Sequence, residues 1–168
     1  MLRIIAICAT PLLASSSYGD VSVAFRDGAP KDRITLTNDG CDLINATLTI
    51  DLSATPAGLI FDVTSAGAGV EVYQPVEVTA GAIIVQPVVD GAQMLIMDIP
   101  SFPKGSVFSL TADLDDTVSN RQITVNGSEM VGASVSLALA DVVRSAPFGS
   151  DGTAMLALTP ANGGCPTS

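Results

Sequence analysis

Histidine and tryptophan are absent from this 168-residue chain. Without histidine, the Ser-His-Asp and Cys-His nucleophilic arrangements, the usual general base near neutral pH and the histidine-based zinc sites are excluded. The sequence also lacks a Gly-x-Ser-x-Gly turn, a phosphate-binding glycine-rich loop and a Cys-x-x-Cys pair. We therefore expect a protein that is not an enzyme. A pair of aspartates of the glycosidase kind is the alternative, because spatial pairing is not visible in a sequence.

Aromatic and basic residues are both scarce. The chain has two tyrosines and five phenylalanines. Modules that stack sugars need exposed aromatic rings, and Tyr73 is the one tyrosine outside the N-terminal segment; a position in the core or at a strand edge is the favoured interpretation for it. The chain has seven basic and seventeen acidic residues, so its net charge is −10. Such a surface repels nucleic acid and anionic membranes, and neither is expected as a partner.

Residues 1–19 have the pattern of a secretion signal. Arg3 precedes an apolar run, and small residues follow it. The run is too short for a membrane anchor, which needs about 20 apolar residues. Ser17 and Gly19 suit cleavage after Gly19, and cleavage two or three residues earlier also fits. We therefore predict an exported protein, extracellular or periplasmic, whose residues 20–168 form a single domain without a membrane span.

Cysteine usage agrees with export. Cys8 lies in the predicted signal, which leaves Cys41 and Cys165. An even pair in an exported chain indicates a disulfide, and two thiols without histidine form no usual zinc site. A bond that closes so long a loop would remove denatured-state entropy worth on the order of 4–5 kcal/mol.

Apolar and polar residues alternate along most of the remaining chain, which is typical of half-buried strands. The clearest stretch places five apolar residues on one face: Ile44, Ala46, Leu48, Ile50 and Leu52. Two further runs, 82–85 and 94–97, are almost continuously apolar and predict strands that are central in a sandwich or buried on both faces. No long stretch has a helical period. With turn signals such as Asn38-Asp39-Gly40 between the strands, the pattern predicts an all-β, antiparallel β-sandwich of about nine or ten short strands.

Acidic residues concentrate at the end of one alternating stretch. Asp113, Asp115 and Asp116 lie within four residues, and alternation puts the first two on the same polar face. Like charges in this position are destabilising unless a cation or a basic side chain lies between them. Calcium prefers carboxylate oxygens, so we predict a calcium site at these three residues.

Calcium takes six to eight oxygens, so the predicted site needs further ligands. Asp51, Asp62 and Asn120 are the candidates for this role. The run lacks the regular Asp-x-Asp-x-Asp-Gly spacing of known calcium loops. The alternative is a solvated strand end whose charge is balanced by Arg121.

Several stretches taken together resemble one family of secreted proteins. They are DGAPKDR at 27–33, GLIFDVT at 58–64, GAGVEV at 67–72 and DLDDT at 113–117. In this order they are similar to the "aggregation factor core" proteins of marine alphaproteobacteria, over roughly residues 20–137. The family name implies kinship with the core protein of the sponge aggregation factor, a calcium-dependent adhesion complex. The resemblance thus implies an adhesive or matrix-associated role and carries no site residues with it.

Two other functions stay open at this point. One is a periplasmic or surface module that recognises a glycan or a protein through loops or a sheet edge. The other is a hydrolase built on carboxylates. In the adhesive role, the expected partner is a protein or glycan on a cell surface or in the matrix, or a second copy of the chain.

Overall fold

The protein is all-β, as the alternating pattern predicts. The computed structural model describes residues 21–69, 72–118, 124–140 and 142–158. Two five-stranded antiparallel sheets pack on one another and form a β-sandwich. No helix within these residues is long and apolar enough to cross a membrane. The predicted signal at 1–19 lies outside the described residues and stays a prediction.

Twelve strands and one short 3₁₀ helix, Gly127–Met130, occur in the described ranges. In chain order the strands are β1 (Val21–Arg26), β2 (Asp32–Asn38), β3 (Leu43–Asp51), β4 (Ile60–Phe61), β5 (Glu77–Ala80), β6 (Ile84–Val85), β7 (Met94–Phe102), β8 (Val107–Ala112), β9 (Leu114–Asp115), β10 (Ser134–Leu139), β11 (Val142–Pro147) and β12 (Thr153–Leu156). The number exceeds the nine or ten strands that the alternating pattern predicts.

The strand order is β12-β1-β2-β8-β5 in the first sheet and β11-β10-β3-β7-β6 in the second. A separate two-stranded sheet pairs β4 with β9. The inner faces of the two large sheets supply the core, to which β1, β2 and β10 contribute every second residue. Fully buried examples from both sheets are Val23, Phe25, Leu36, Leu48, Ile50, Leu95 and Met97. Burial of each such side chain stabilises the fold by about 1.5–3 kcal/mol.

The predicted phase of β3 is wrong at its first residues. Ala46, Leu48 and Ile50 face the core as expected, whereas Ile44 is 43% exposed and Leu43 is buried in its place. The change of face occurs at Asn45, whose φ is 52°. Asparagine adopts this left-handed conformation more readily than other non-glycine residues. One backbone residue therefore shifts the alternation, and the sequence pattern alone does not show it.

The two apolar runs are not buried on both faces. Ile84 in β6 is 59% exposed and Met94 at the start of β7 is 50% exposed. β6 is the outermost strand of its sheet and pairs with β7 only, so its other edge is not covered by a neighbouring strand. β7 lies one strand further in, and Leu95 and Met97 face the core in ordinary alternation.

Candidate functional site

The small β4–β9 sheet brings two acidic segments together. Ile60 pairs with Asp115, and Phe61 pairs with Leu114. The backbone N–H of Asp62, just after β4, donates to the carbonyl oxygen of Asp113 at 3.0 Å. The segment 113–116 therefore lies directly beside Asp62, one of the additional ligands that the sequence suggested.

The aspartates of this region are buried. Each of five is at most 5% exposed: Asp32, Asp62, Asp113, Asp115 and Asp116. Aspartate is almost never this buried unless its charge is compensated. The alternative of a solvated strand end does not agree with this burial. Arg121, which that alternative used as the counter-charge, lies outside the described residues, and so does Asn120.

Four of these carboxylates, together with Asp90, form what we call the acidic row. The charge of Asp115 raises the pKa of Asp62, Asp113 and Asp32, so these carboxylates lie close to Asp115. Asp90 acts on Asp62, and Asp32 acts on Asp113. The acidic row thus comprises Asp90, Asp62, Asp115, Asp113 and Asp32.

Burial is the largest cause of the altered acidity. It raises the pKa of Asp62 to about 7, and a hydrogen bond to Asp90 and the charge of Asp115 act in the same direction. Burial likewise raises the pKa of Asp113 to about 7, followed by the charges of Asp115 and Asp32. The Oδ2 atoms of Asp62 and Asp113 have no hydrogen-bond partner. A buried carboxylate oxygen without a donor is costly, which marks both residues as acceptors for something else.

Asp90 holds the loop that follows Asp62. Its Oδ1 accepts hydrogen bonds from the backbone N–H groups of Val63 (3.0 Å) and Thr64 (3.1 Å), and its Oδ2 accepts one from Ala68 at 3.0 Å. Although burial acts to raise the pKa of Asp90, these backbone hydrogen bonds leave it below its usual value. The loop 63–69 is therefore fastened over Asp62 by a carboxylate that stays ionised.

The same loop ends against two carboxylates of the row. A Cβ atom at Gly69 would overlap the carboxylate oxygens of both Asp62 and Asp115. The two carboxylates thus converge on one point that only a glycine leaves open. Among the described residues, no three Asp, Glu, Cys or His side chains form a ready-made ligand group. Calcium held by these two carboxylates would take its remaining ligands from backbone carbonyls or water, which suits its flexible coordination.

Asp32 fastens another part of the row. Its Oδ1 accepts from the backbone N–H of Gly28, and its Oδ2 accepts from that of Leu114, both at 3.1 Å. Burial raises the pKa of Asp32 to about 7 even though these two bonds lower it. The loop before β2 and the strand β9 are consequently joined through one side chain.

Sequence reasoning missed Asp32 and Asp90. Asp32 was detectable, because it is in phase with Ile34 and Leu36 on the inner face of β2. Asp90 lies in a turn before Gly91, and nothing in its sequence context signals that it accepts from three backbone N–H groups. Asp51 does not join the row: it lies at the end of β3, where its Oδ1 accepts from the backbone N–H of Ser53 at 2.9 Å.

Two other predicted residues lie apart from the row. Cys41 is half-buried between β2 and β3, and its carbonyl oxygen accepts from Nδ2 of Asn38 at 2.7 Å. Cys165 lies outside the described residues, so the Cys41–Cys165 bond stays a prediction. Tyr73 is 42% exposed and does not belong to the core.

Fold and site together define a β-sandwich with a buried row of carboxylates beside its small third sheet. Comparison of the chain with protein-family models, with curated proteins and with solved structures found no match. The functional proposal therefore depends on the chemistry of the acidic row.

Proposed function

We propose that the chain is an exported, non-enzymatic β-sandwich module of the adhesion or extracellular-matrix type that binds calcium. The ion binds where Asp62 and Asp115 converge, with Asp113 and Asp116 beside it. The observation that carries this proposal is the burial of Asp62, whose Oδ2 has no hydrogen-bond partner next to a second carboxylate.

The electrostatics of the row favour a cation. Carboxylates that are buried close together repel one another and raise each other's pKa. A divalent cation replaces that repulsion by ligation, and its charge reverses the local effect on the pKa. Calcium is favoured over zinc because the donors are all oxygen, and over magnesium because the site is irregular.

The adhesive role is supported by features outside the row. They are the secretion signal, the aspartate-rich composition and the resemblance to the aggregation factor core proteins. In such a role calcium fixes the shape of the loops around β4 and β9. Copies of the module then associate with each other, or with a surface protein or glycan, only in the calcium-bound form.

Thermal unfolding tests calcium binding. A ligand that binds only the folded state stabilises it by about 2.7 kcal/mol at a hundred times its Kd. The unfolding midpoint should therefore rise in millimolar calcium, return with chelator, and rise less in magnesium. The double variant Asp62→Asn/Asp115→Asn should lose the rise. Asp39→Asn, which removes the charge of an exposed turn residue, is the matched control and should keep it.

Light scattering tests the adhesive role separately. The protein should form larger species in calcium and return to smaller ones with chelator, and the Asp62→Asn/Asp115→Asn variant should not respond. A calcium-dependent midpoint without association would keep the calcium site and reject self-adhesion. A midpoint that is indifferent to calcium would reject the site itself.

A further inference from the structure

Two arginines lie side by side on the outer face of the first sheet. Arg26 ends β1, Arg33 is the second residue of β2, and the register places them directly opposite each other. Residues in this position point to the same side of the sheet, with Cβ atoms about 4.5–5.5 Å apart. Both arginines are exposed, whereas their neighbours Phe25 and Ile34 face the core. Like charges placed so are destabilising unless a counter-charge lies between them.

The acidic side chains around this pair are engaged elsewhere. Glu77 accepts from Nζ of Lys31 at 2.7 Å, which is the one ion pair within the described ranges. Asp32 lies on the inner face of β2 and accepts from two backbone N–H groups. Oδ1 of Asp151 accepts from the backbone N–H at the start of β12 at 3.0 Å. Neither Asp27, which is exposed, nor any other acidic residue of the described part of the chain forms an ion pair with the two arginines.

The guanidinium group of Arg26 is already held in place. Its Nη1 donates to the carbonyl oxygens of Phe25 at 2.9 Å and of Asp151 at 3.0 Å. Within the described ranges, its Nε and Nη2 and the whole side chain of Arg33 donate to no other group. A guanidinium group presents its N–H donors in a planar fork that matches the oxygens of a carboxylate or a sulfate. Because one of the two forks is fixed before binding, less entropy is lost when an anion enters.

We infer that the Arg26–Arg33 pair binds a single oxyanion group, the carboxylate or the sulfate ester of a ligand. The group lies between the two guanidinium groups and accepts N–H donors from both. Since the net charge of −10 repels polyanions, the ligand carries its negative charge as one isolated group. The pair lies on the solvent side of β1 and β2, whereas Asp32 of the acidic row lies on the inner side of β2. The site therefore depends neither on calcium nor on adhesion.

Nuclear magnetic resonance of the arginine side chains tests this inference. In isotope-labelled protein, the Nε–H signals of Arg26 and Arg33 should shift when acetate or methyl sulfate replaces chloride at constant ionic strength. The signal of Arg144 should not shift. Arg144 is the matched control, because it is exposed on β11 and its Nη1 donates to a backbone carbonyl, as that of Arg26 does. Tighter binding of acetate would assign a carboxylate ligand, and tighter binding of methyl sulfate would assign a sulfate ester.

Two variants separate a site from general attraction of anions. Arg33→Gln should weaken the tighter probe roughly tenfold or more, because hydrogen bonds to a charged group are worth this much. Arg144→Gln should bind the probe as the parent does. Arg33→Gln removes one of two like charges, so its unfolding midpoint should equal or exceed that of the parent.

Three results would overturn the inference. They are the absence of any shift, equal shifts at Arg26, Arg33 and Arg144, and an affinity that survives Arg33→Gln. A sulfated polysaccharide that bound much more tightly than methyl sulfate would reject the single isolated group. An unfolding midpoint that is indifferent to calcium would reject only the proposed function and leave the oxyanion site standing.

Discussion

At position 69 the neighbouring carboxylates leave room for a hydrogen atom only. A methyl group there would overlap the side chains of Asp62 and Asp115, so Gly69→Ala forces the loop or the carboxylates apart. We expect the variant to be destabilised by about 1–3 kcal/mol, as for other overpacked sites. If calcium binds between these carboxylates, the same change should weaken it about tenfold or more, since displaced supporting groups cost metal affinity. Thermal unfolding with and without calcium measures both effects.

Gly127→Ala is the matched control for that substitution. A Cβ at Gly127 would meet its nearest neighbours at 3.4 Å, which is ordinary contact. This variant should unfold within a few tenths of a kcal/mol of the parent and keep its full response to calcium. If Gly69→Ala behaved in the same way, the loop would not be closed over the two carboxylates.

Part of the candidate site could be predicted from the sequence. Asp113, Asp115 and Asp116 were recognisable as a cluster because they are adjacent in the chain. Their burial was not recognisable, since alternation places Asp113 and Asp115 on the polar face of a strand. They are buried because β4 pairs with β9 and brings Asp62 beside them, and this contact spans about fifty residues of sequence.

At the scale of the elements, β3 tests how one backbone angle sets the face of a strand. Asn45 has a φ of 52°, and this conformation turns Ile44 outward while Leu43 faces the core. Asn45→Val should cost about 1–2 kcal/mol, because a side chain branched at Cβ disfavours the left-handed region. Asn45→Gly should be close to neutral, since glycine adopts this region freely. Chemical denaturation of the two variants provides the comparison. A valine variant as stable as the glycine variant would show that the strand can adopt ordinary alternation here.

The hydrophobic pattern of the sequence predicts some strands better than others. Alternation gave the correct inner face for β1 and for most of β3, because each buries one side of a sheet against the other sheet. It failed for β6, where an apolar run lies at a sheet edge with Ile84 exposed. A hydrophobic run shows that its residues favour burial. Whether the strand lies in the centre or at the edge of a sheet depends on the topology of the whole fold.

For the molecule as a whole, the acidic row predicts how stability depends on pH. The pKa values of Asp32, Asp62 and Asp113 are raised to about 7 from 3.8. Between these values the folded state retains protons that the unfolded chain has released, so a rise in pH favours unfolding. The contribution of these three groups to the free energy of unfolding is fully present below pH 3.8, their pKa in the unfolded chain, and is lost as the pH rises through about 7. We therefore expect the unfolding midpoint in chelator to fall from pH 5 to pH 8.

Other carboxylates limit stability on the acid side. The pKa of Asp51 is lowered by hydrogen bonds from Ser53, and that of Asp90 is lowered by its backbone donors against the effect of burial. Their contribution is lost as the pH falls below about 4, so the midpoint should be highest between about pH 4 and 5. Calorimetric scans across this range provide the measurement, and Asp62→Asn should flatten the decline above pH 5. A midpoint that rises between pH 5 and pH 8 in chelator would contradict the raised pKa values.

The outer strands of the two sheets restrict how copies of this chain can join. Open sheet edges present unpaired N–H and C=O groups, onto which another chain can add a strand. Here β6 has two residues, β12 has four, β5 has a shift of register between Val78 and Ala80, and β11 ends at Pro147. None of them offers a long regular template, so fibrous growth by shared sheets is disfavoured. Assemblies of the folded protein should accordingly be held by side chains and ions, and should dissolve when the ions are removed.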